Sequence, residues 1–119
     1  MDDGKNYHDH GHLELLGKMP DAERGEKVAD TFSHLCDGTR LRILWLLCHS
    51  EECVTNIAKA VDMSAPAVSH HLKILRQANL ISGRRIGKEI HYSLAHNPEA
   101  TLVHRMIDDI FDLKCNIVF

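Results

Sequence analysis

The chain has 119 residues, a formal net charge of −3 with histidine neutral, 44% hydrophobic and 5% aromatic residues, which suits one modest globular domain and leaves little for an aromatic platform that stacks single-stranded nucleic acid. No apolar run approaches the roughly 18 residues of a membrane span, and the N-terminus is acidic and polar rather than basic and then apolar, so the expectation is a cytoplasmic protein with no membrane partner. Cys36, Cys48, Cys53 and Cys115 are spread without close pairing, and in a reducing compartment they are not expected to form structural disulfides.

Residues 1–20 contain Gly4, Gly11, Gly17, Pro20 and a His-Asp-His-Gly-His run that includes three of the ten histidines, His8, His10 and His12. With little apolar periodicity, this segment reads as a flexible, His-rich N-terminal arm, with order beginning near Asp21 and a single domain over 21–119. Ala22, Val28, Ala29, Phe32 and Leu35 then recur at near-helical spacing and predict a helix of about four turns. Asp37, Gly38 and Thr39 interrupt it, and Asp37 or Thr39 is placed to cap the segment TRLRILWLLCHS. There Leu41, Leu44, Trp45, Leu47 and Cys48 are apolar on most sides, as in a helix central to the core.

Two short amphipathic helices follow. Val54, Ile57, Ala58 and Val61 make the apolar stripe of the first; Ala67, Val68, Leu72 and Leu75 make that of the second, with Ser64 as its cap and Pro66 in its first turn. Joined by a tight break, they predict a helix-turn-helix. After Asn79 the period changes to two: Ile90, Tyr92 and Leu94 share one face and Glu89, His91 and Ser93 the other. Leu80–Arg84 and Glu89–Leu94 should pair as a hairpin around residues 85–88, a basic wing. Leu102, Val103, Met106, Ile107, Ile110, Phe111 and Leu113 mark a final helix whose stripe is broad enough to pack on a second copy as well as on its own body. The expected fold is mainly α with a small β-hairpin wing, a winged helix-turn-helix that forms a homodimer.

The negative total hides an uneven distribution. From Ala65 to Tyr92, Lys73, Arg76, Arg84, Arg85 and Lys88 face only Glu89, a local net charge of +4 that leaves −7 for the rest. A local cationic face can bind phosphate whatever the total, because counterion release depends on the charges that meet the backbone. Ser69, His70 and Lys73 lie on a different helical face from Val68, Leu72 and Leu75, so at least part of the His70–His71 pair points outward. Adjacent histidines diverge by about 100 degrees around a helix and cannot converge on one ion, and His71 also suits a half-buried packing role.

Read in order, LCDGTRLRILWLL, EECVTNIAKAVDMSAPAVSHHLKILRQANLI and GRRIGKEIHYSL resemble the winged-helix repressors of the ArsR/SmtB family, homodimeric sensors of metals or thiol stress, over about Glu26 to Asp112. Gly38 stands where the family usually has Pro, and Asp62 where the turn often has Gly, a tolerable exchange because Asp visits left-handed geometry readily. The resemblance implies that the helix capped by Ser64 is the recognition helix in the major groove of operator DNA. Ser64, Ser69, His70 and His71 would offer hydrogen bonds to bases or phosphates, Lys73 and Arg76 would meet phosphate, and Arg84, Arg85 and Lys88 of the wing would grip the backbone or an adjacent minor groove.

Two metal sites are expected from it. At the first, Cys53 keeps one thiolate of a family Cys-Val-Cys pair, but Thr55 and Asn56 stand where the second thiolate and a carboxylate would be. His8, His10 and His12 are available to complete a tetrahedral set. At the second, on the last helix, the family's paired ligands map to His96 and Pro98 near its start and to Asp109 and Asp112 near its end. Pro98 removes a ligand, which His104 and Asp108, i,i+4 neighbours on one face, can replace. Asp108, Asp109 and Asp112 also crowd a helix C-terminus, where the macrodipole disfavours negative charge. Imidazole and carboxylate favour Zn(II), Co(II) or Ni(II), and thiolate favours Zn(II), Cd(II) or Pb(II); zinc satisfies both sets. The expected function is a metal-responsive repressor released from operator DNA by a divalent metal, with a thiol-based redox or persulfide switch as the alternative. Without a nucleophile elbow, a phosphate-cradling glycine loop or an HExxH, neither an enzyme nor an organic small-molecule substrate is expected.

Overall fold

The computed structural model describes residues 10–115, with side chains over 11–114. The chain divides between Phe32 and Ser33 into two compact units. The first contains α1 (His10–Lys18) and most of α2 (Ala22–Leu35). The mobile arm expected before Asp21 is therefore helical over nine of its residues. Gly11 and Gly17, read as breakers, fall in the first and last turns, where a helix tolerates glycine, and the good helix formers Leu13, Glu14, Leu15 and Leu16 fill its interior. Lys18 adds a cation in the last turn. His8 lies outside the described residues, as does the side chain of His10. Helix α2 starts where the spacing placed it, the Asp21 carboxylate accepting the Arg24 backbone N–H at 2.9 Å.

The second unit is built around α3 (Gly38–His49), whose Ile43, Leu44 and Leu47 are buried. Asp37 is its cap, accepting the Arg40 N–H at 3.0 Å, a bond that holds the Asp37 carboxyl below the usual carboxylate value. Trp45, expected in the core, is instead 44% exposed on the surface of the unit. Ile57 and Val61 of α4 (Val54–Val61), Val68, Leu72 and Leu75 of α5 (Ala65–Gln77), and Val103 and Ile107 of α6 (Pro98–Cys115) close on α3 in one cluster with Leu80 and Ile81. Asp62 ends α4 in the left-handed region, φ 55° and ψ 52°, and its N–H satisfies the last carbonyls of the helix. The Ser64 hydroxyl accepts the Ala67 N–H at 3.3 Å and starts α5, so the helix-turn-helix forms as the sequence predicts.

The wing pairs β2 (Ile81–Ile86) with β3 (Glu89–Leu94), antiparallel, Ile86 opposite Glu89. Its turn is shorter than the four residues expected, because Gly87 at φ +64° permits a two-residue connection with glycine at the first central position. Arg85 and Ile86 consequently belong to β2. A third strand, β1 (Glu52–Cys53), pairs with β3 through Glu52–Tyr92 and Cys53–His91, giving the order β1-β3-β2. Two residues are too few to show an alternation, so this strand left no periodic trace in the sequence.

Candidate nucleic-acid interface and metal centre

Helix α5 buries Val68, Leu72 and Leu75 and leaves Ser69, His70, Lys73 and Arg76 exposed. The polar and cationic row is thus aimed at solvent by the apolar one, which the core holds in place. His71 is placed differently from its neighbours: it is half-buried, and its Nδ1 accepts a hydrogen bond from Arg40 Nε at 3.2 Å. Arg40 also donates to the His34 carbonyl at 3.0 Å, so this pair braces α5 against α3 and the end of α2.

On the wing, Arg85 and Lys88 are exposed. Arg84 is also exposed but already engaged: Nε and one terminal nitrogen donate to the two Glu51 oxygens at 2.7 and 2.8 Å. That bidentate pairing lowers the Glu51 carboxyl and raises the Arg84 guanidinium relative to their ordinary values. Arg84 therefore fixes the wing to the segment before β1, and meeting a phosphate would require it to leave Glu51.

Of the expected thiolate site, His8 and the side chain of His10 lie outside the described residues. Cys53 is 6% exposed, packed as a small apolar group at the start of α4. Among the described residues, the group of three ligating side chains that falls within metal-binding distance does not include Cys53. His12 is half-buried on α1, in the other unit.

His104 and Asp108 do come together, and with an unforeseen third residue. His104 Nε2 lies 3.1 Å from Asp108 Oδ2, and His49 Nε2, from the last turn of α3, lies 2.9 Å from Asp108 Oδ1. The ligand atoms of His49, His104 and Asp108 all fall within 4.8 Å of one another. The imidazoles meet edge to face at 5.4 Å, and the Trp45 ring lies 4.8 Å from that of His49. His96, Asp109 and Asp112, placed in the same expected site, are exposed and outside this group. Nothing local in LLCHS marks His49 as a ligand; only the packing of α3 on α6 brings it to His104. The neighbouring Cys48 thiol is pushed up to about 11, first by burial and then by the charge of Asp108.

Residues 37–82 match the family described as "Bacterial regulatory protein, arsR family". A transcriptional repressor SmtB homolog from Synechocystis is 39% identical over 88 residues, 74% of this chain and 67% of the relative. A cadmium resistance transcriptional regulatory protein CadC homolog from Staphylococcus aureus is 34% identical over 79 residues, 66% of this chain and 65% of the relative. The chain thus spans about two thirds of the length of each. Among solved structures, the homodimeric winged helix-turn-helix DNA-binding domain of a Mycobacterium bovis protein superposes with a TM-score of 0.66 at 27% identity, covering 82% of this chain and 91% of that one.

Proposed function

The chain belongs to the ArsR family of winged helix-turn-helix transcriptional regulators, and from that premise we propose that it is a metal-responsive repressor. Two copies hold operator DNA in the cytoplasm through paired α5 helices and wings, and a divalent metal, zinc before others, releases them. The observation that carries this reading is that one packed body bears both an outward cationic helix face and a His-His-Asp group. Ser69 and His70 would read base edges, while Lys73, Arg76, Arg85 and Lys88 neutralise phosphates. Exposed Leu102, Ile110 and Leu113 on α6 supply apolar surface for a second copy, as the homodimeric relative uses a dimer of this fold.

A bound divalent ion would supply a cationic crosslink between side chains. Imidazole and carboxylate favour Zn(II), Ni(II) or Co(II) over the softer Cd(II) and Pb(II), which the buried Cys53 does not serve on its own. The cadmium-resistance relative supports a metal as effector without fixing the ion. Thiol switching is less well supported: Cys48 has a raised thiol value and Cys53 is buried, and thiolate is the reacting species. The relatives are regulators, and no catalytic step is assigned to this chain.

Duplexes selected from a randomised pool, followed by fluorescence anisotropy with zinc and then EDTA, test the proposal. Affinity should fall about five- to 150-fold with zinc and recover with chelator, corresponding to the 1–3 kcal/mol typical of allosteric coupling. Affinity unmoved by zinc, or no duplex binding at low salt, overturns it.

A further inference from the structure

The His49, His104 and Asp108 group lies within one protomer and joins α3 to α6. We infer that His49, His104 and Asp108 form a divalent transition-metal site internal to each protomer, occupied by Zn(II) or a similar borderline ion.

Three features of the group suit a metal ion better than a surface ion pair. Both ring nitrogens facing the carboxylate are Nε2, and each approaches a different oxygen, at 2.9 and 3.1 Å. With the ring proton on Nδ1, each Nε2 offers a lone pair, and the two Nε2 atoms and a carboxylate oxygen, all within 4.8 Å of one another, can share one cation. No oxidation or bond cleavage is involved, only a tautomeric shift or loss of protons to solvent. Secondly, the donors come from two rigid elements. His104 and Asp108 are one turn apart on α6, and His49 is fixed on α3 beside Trp45, so the separations are set by packing rather than by long mobile side chains. Thirdly, His49, Asp108 and His104 are 42%, 36% and 35% exposed, open enough for an ion to enter and for water to fill the remaining coordination positions.

The placement also suggests how occupancy reaches DNA, a part that rests on the repressor reading above. Helix α3 touches α5 directly through Arg40 and His71. Just before α6, the Asn97 side chain donates to the carbonyl of Asn79, in the turn that follows α5, at 2.8 Å. A metal bond between α3 and α6 therefore joins the two elements that hold the recognition helix.

The test is a Co(II) titration of the full chain, followed by visible absorption, with Zn(II) competition. Wild-type protein should take one Co(II) per protomer, displaced by zinc. His49→Gln and His104→Gln, which keep a donor for Asp108, should each weaken Co(II) binding at least about tenfold, while a His96→Ala, Asp109→Ala double variant binds like wild type. Circular dichroism and metal-free DNA affinity should match wild type in all three variants. Wild-type Co(II) affinity in His49→Gln, or loss of binding in the His96, Asp109 variant, overturns the site. The two proposals separate in the anisotropy assay. If zinc still releases DNA from His49→Gln at wild-type concentrations, the repressor reading stands and the coupling of this site to DNA falls. If the site binds as described but zinc leaves DNA affinity unchanged in wild type, the site stands and the regulatory reading falls.

Discussion

Neighbouring side chains on α5 have opposite roles. His70 faces solvent, whereas His71, one position on and about 100 degrees around the helix, accepts from Arg40. His70→Ala should therefore weaken selected-duplex binding by about 1–3 kcal/mol with unchanged stability. His71→Ala should lower stability by about 1 kcal/mol, because Arg40 Nε loses its partner. Anisotropy and chemical denaturation on both variants check this. The cysteines make a second contrast. Cys36 is exposed, while Cys48 needs a pH near its raised value of about 11 to ionise appreciably. Alkylation at pH 7.5 read by peptide mass spectrometry should label Cys36 well before Cys48; equal rates would contradict the burial of Cys48. The Glu51–Arg84 pair sets a pH window. Because the folded carboxyl lies below its ordinary 4.5, the pair contributes fully above about that value and is lost as pH falls through the lowered one. The Arg84 Nε–H resonance should thus hold steady from pH 8 to 5 and shift only in more acid solution.

At the scale of elements, glycine in β2 has a packing reason. A Cβ on Gly83 would meet Ile90 Cγ2 at 2.9 Å and the Tyr92 ring at 3.2 Å, so Gly83→Ala should cost about 1–3 kcal/mol by overpacking between the strands, measurable as a lowered melting temperature. Asn97 caps α6, accepting the Ala100 N–H at 2.8 Å, and Asn97→Ala should cost about 1 kcal/mol while loosening α6 from the end of α5. The helix-turn-helix was legible because Val68, Leu72 and Leu75 repeat at helical spacing between a serine cap and a clean turn, and Asp62 stood where a left-handed residue was needed. Three elements were read wrongly or missed. Helix α1 carries glycines that look like breakers but lie in its end turns, β1 is too short for a pattern, and the wing turn was read two residues too long because alternation does not specify where pairing stops. Two of the three residues of the His49, His104 and Asp108 group were legible: His104 and Asp108 share a helix and a face, whereas His49 is 55 residues away in sequence from His104 and meets it only through tertiary packing.

For the whole molecule, the net charge of −3 makes affinity for DNA depend on where the cations sit. Each phosphate contact contributes about 0.9 to the slope of log affinity against log salt. In a symmetric dimer, Lys73→Ala or Lys88→Ala removes two contacts, so each should flatten that slope by roughly 1.8 and weaken all sequences alike. The apolar side chains left exposed on α6, Leu102, Ile110 and Leu113, fit the same picture of a protein completed by its own copy. Sedimentation of a fluorescently labelled duplex, selected from a randomised pool, with and without zinc, tests that picture most directly. The account predicts a complex of two protomers on one duplex that dissociates to free DNA on adding zinc and re-forms with EDTA. A single bound protomer, or a complex indifferent to zinc, would contradict it.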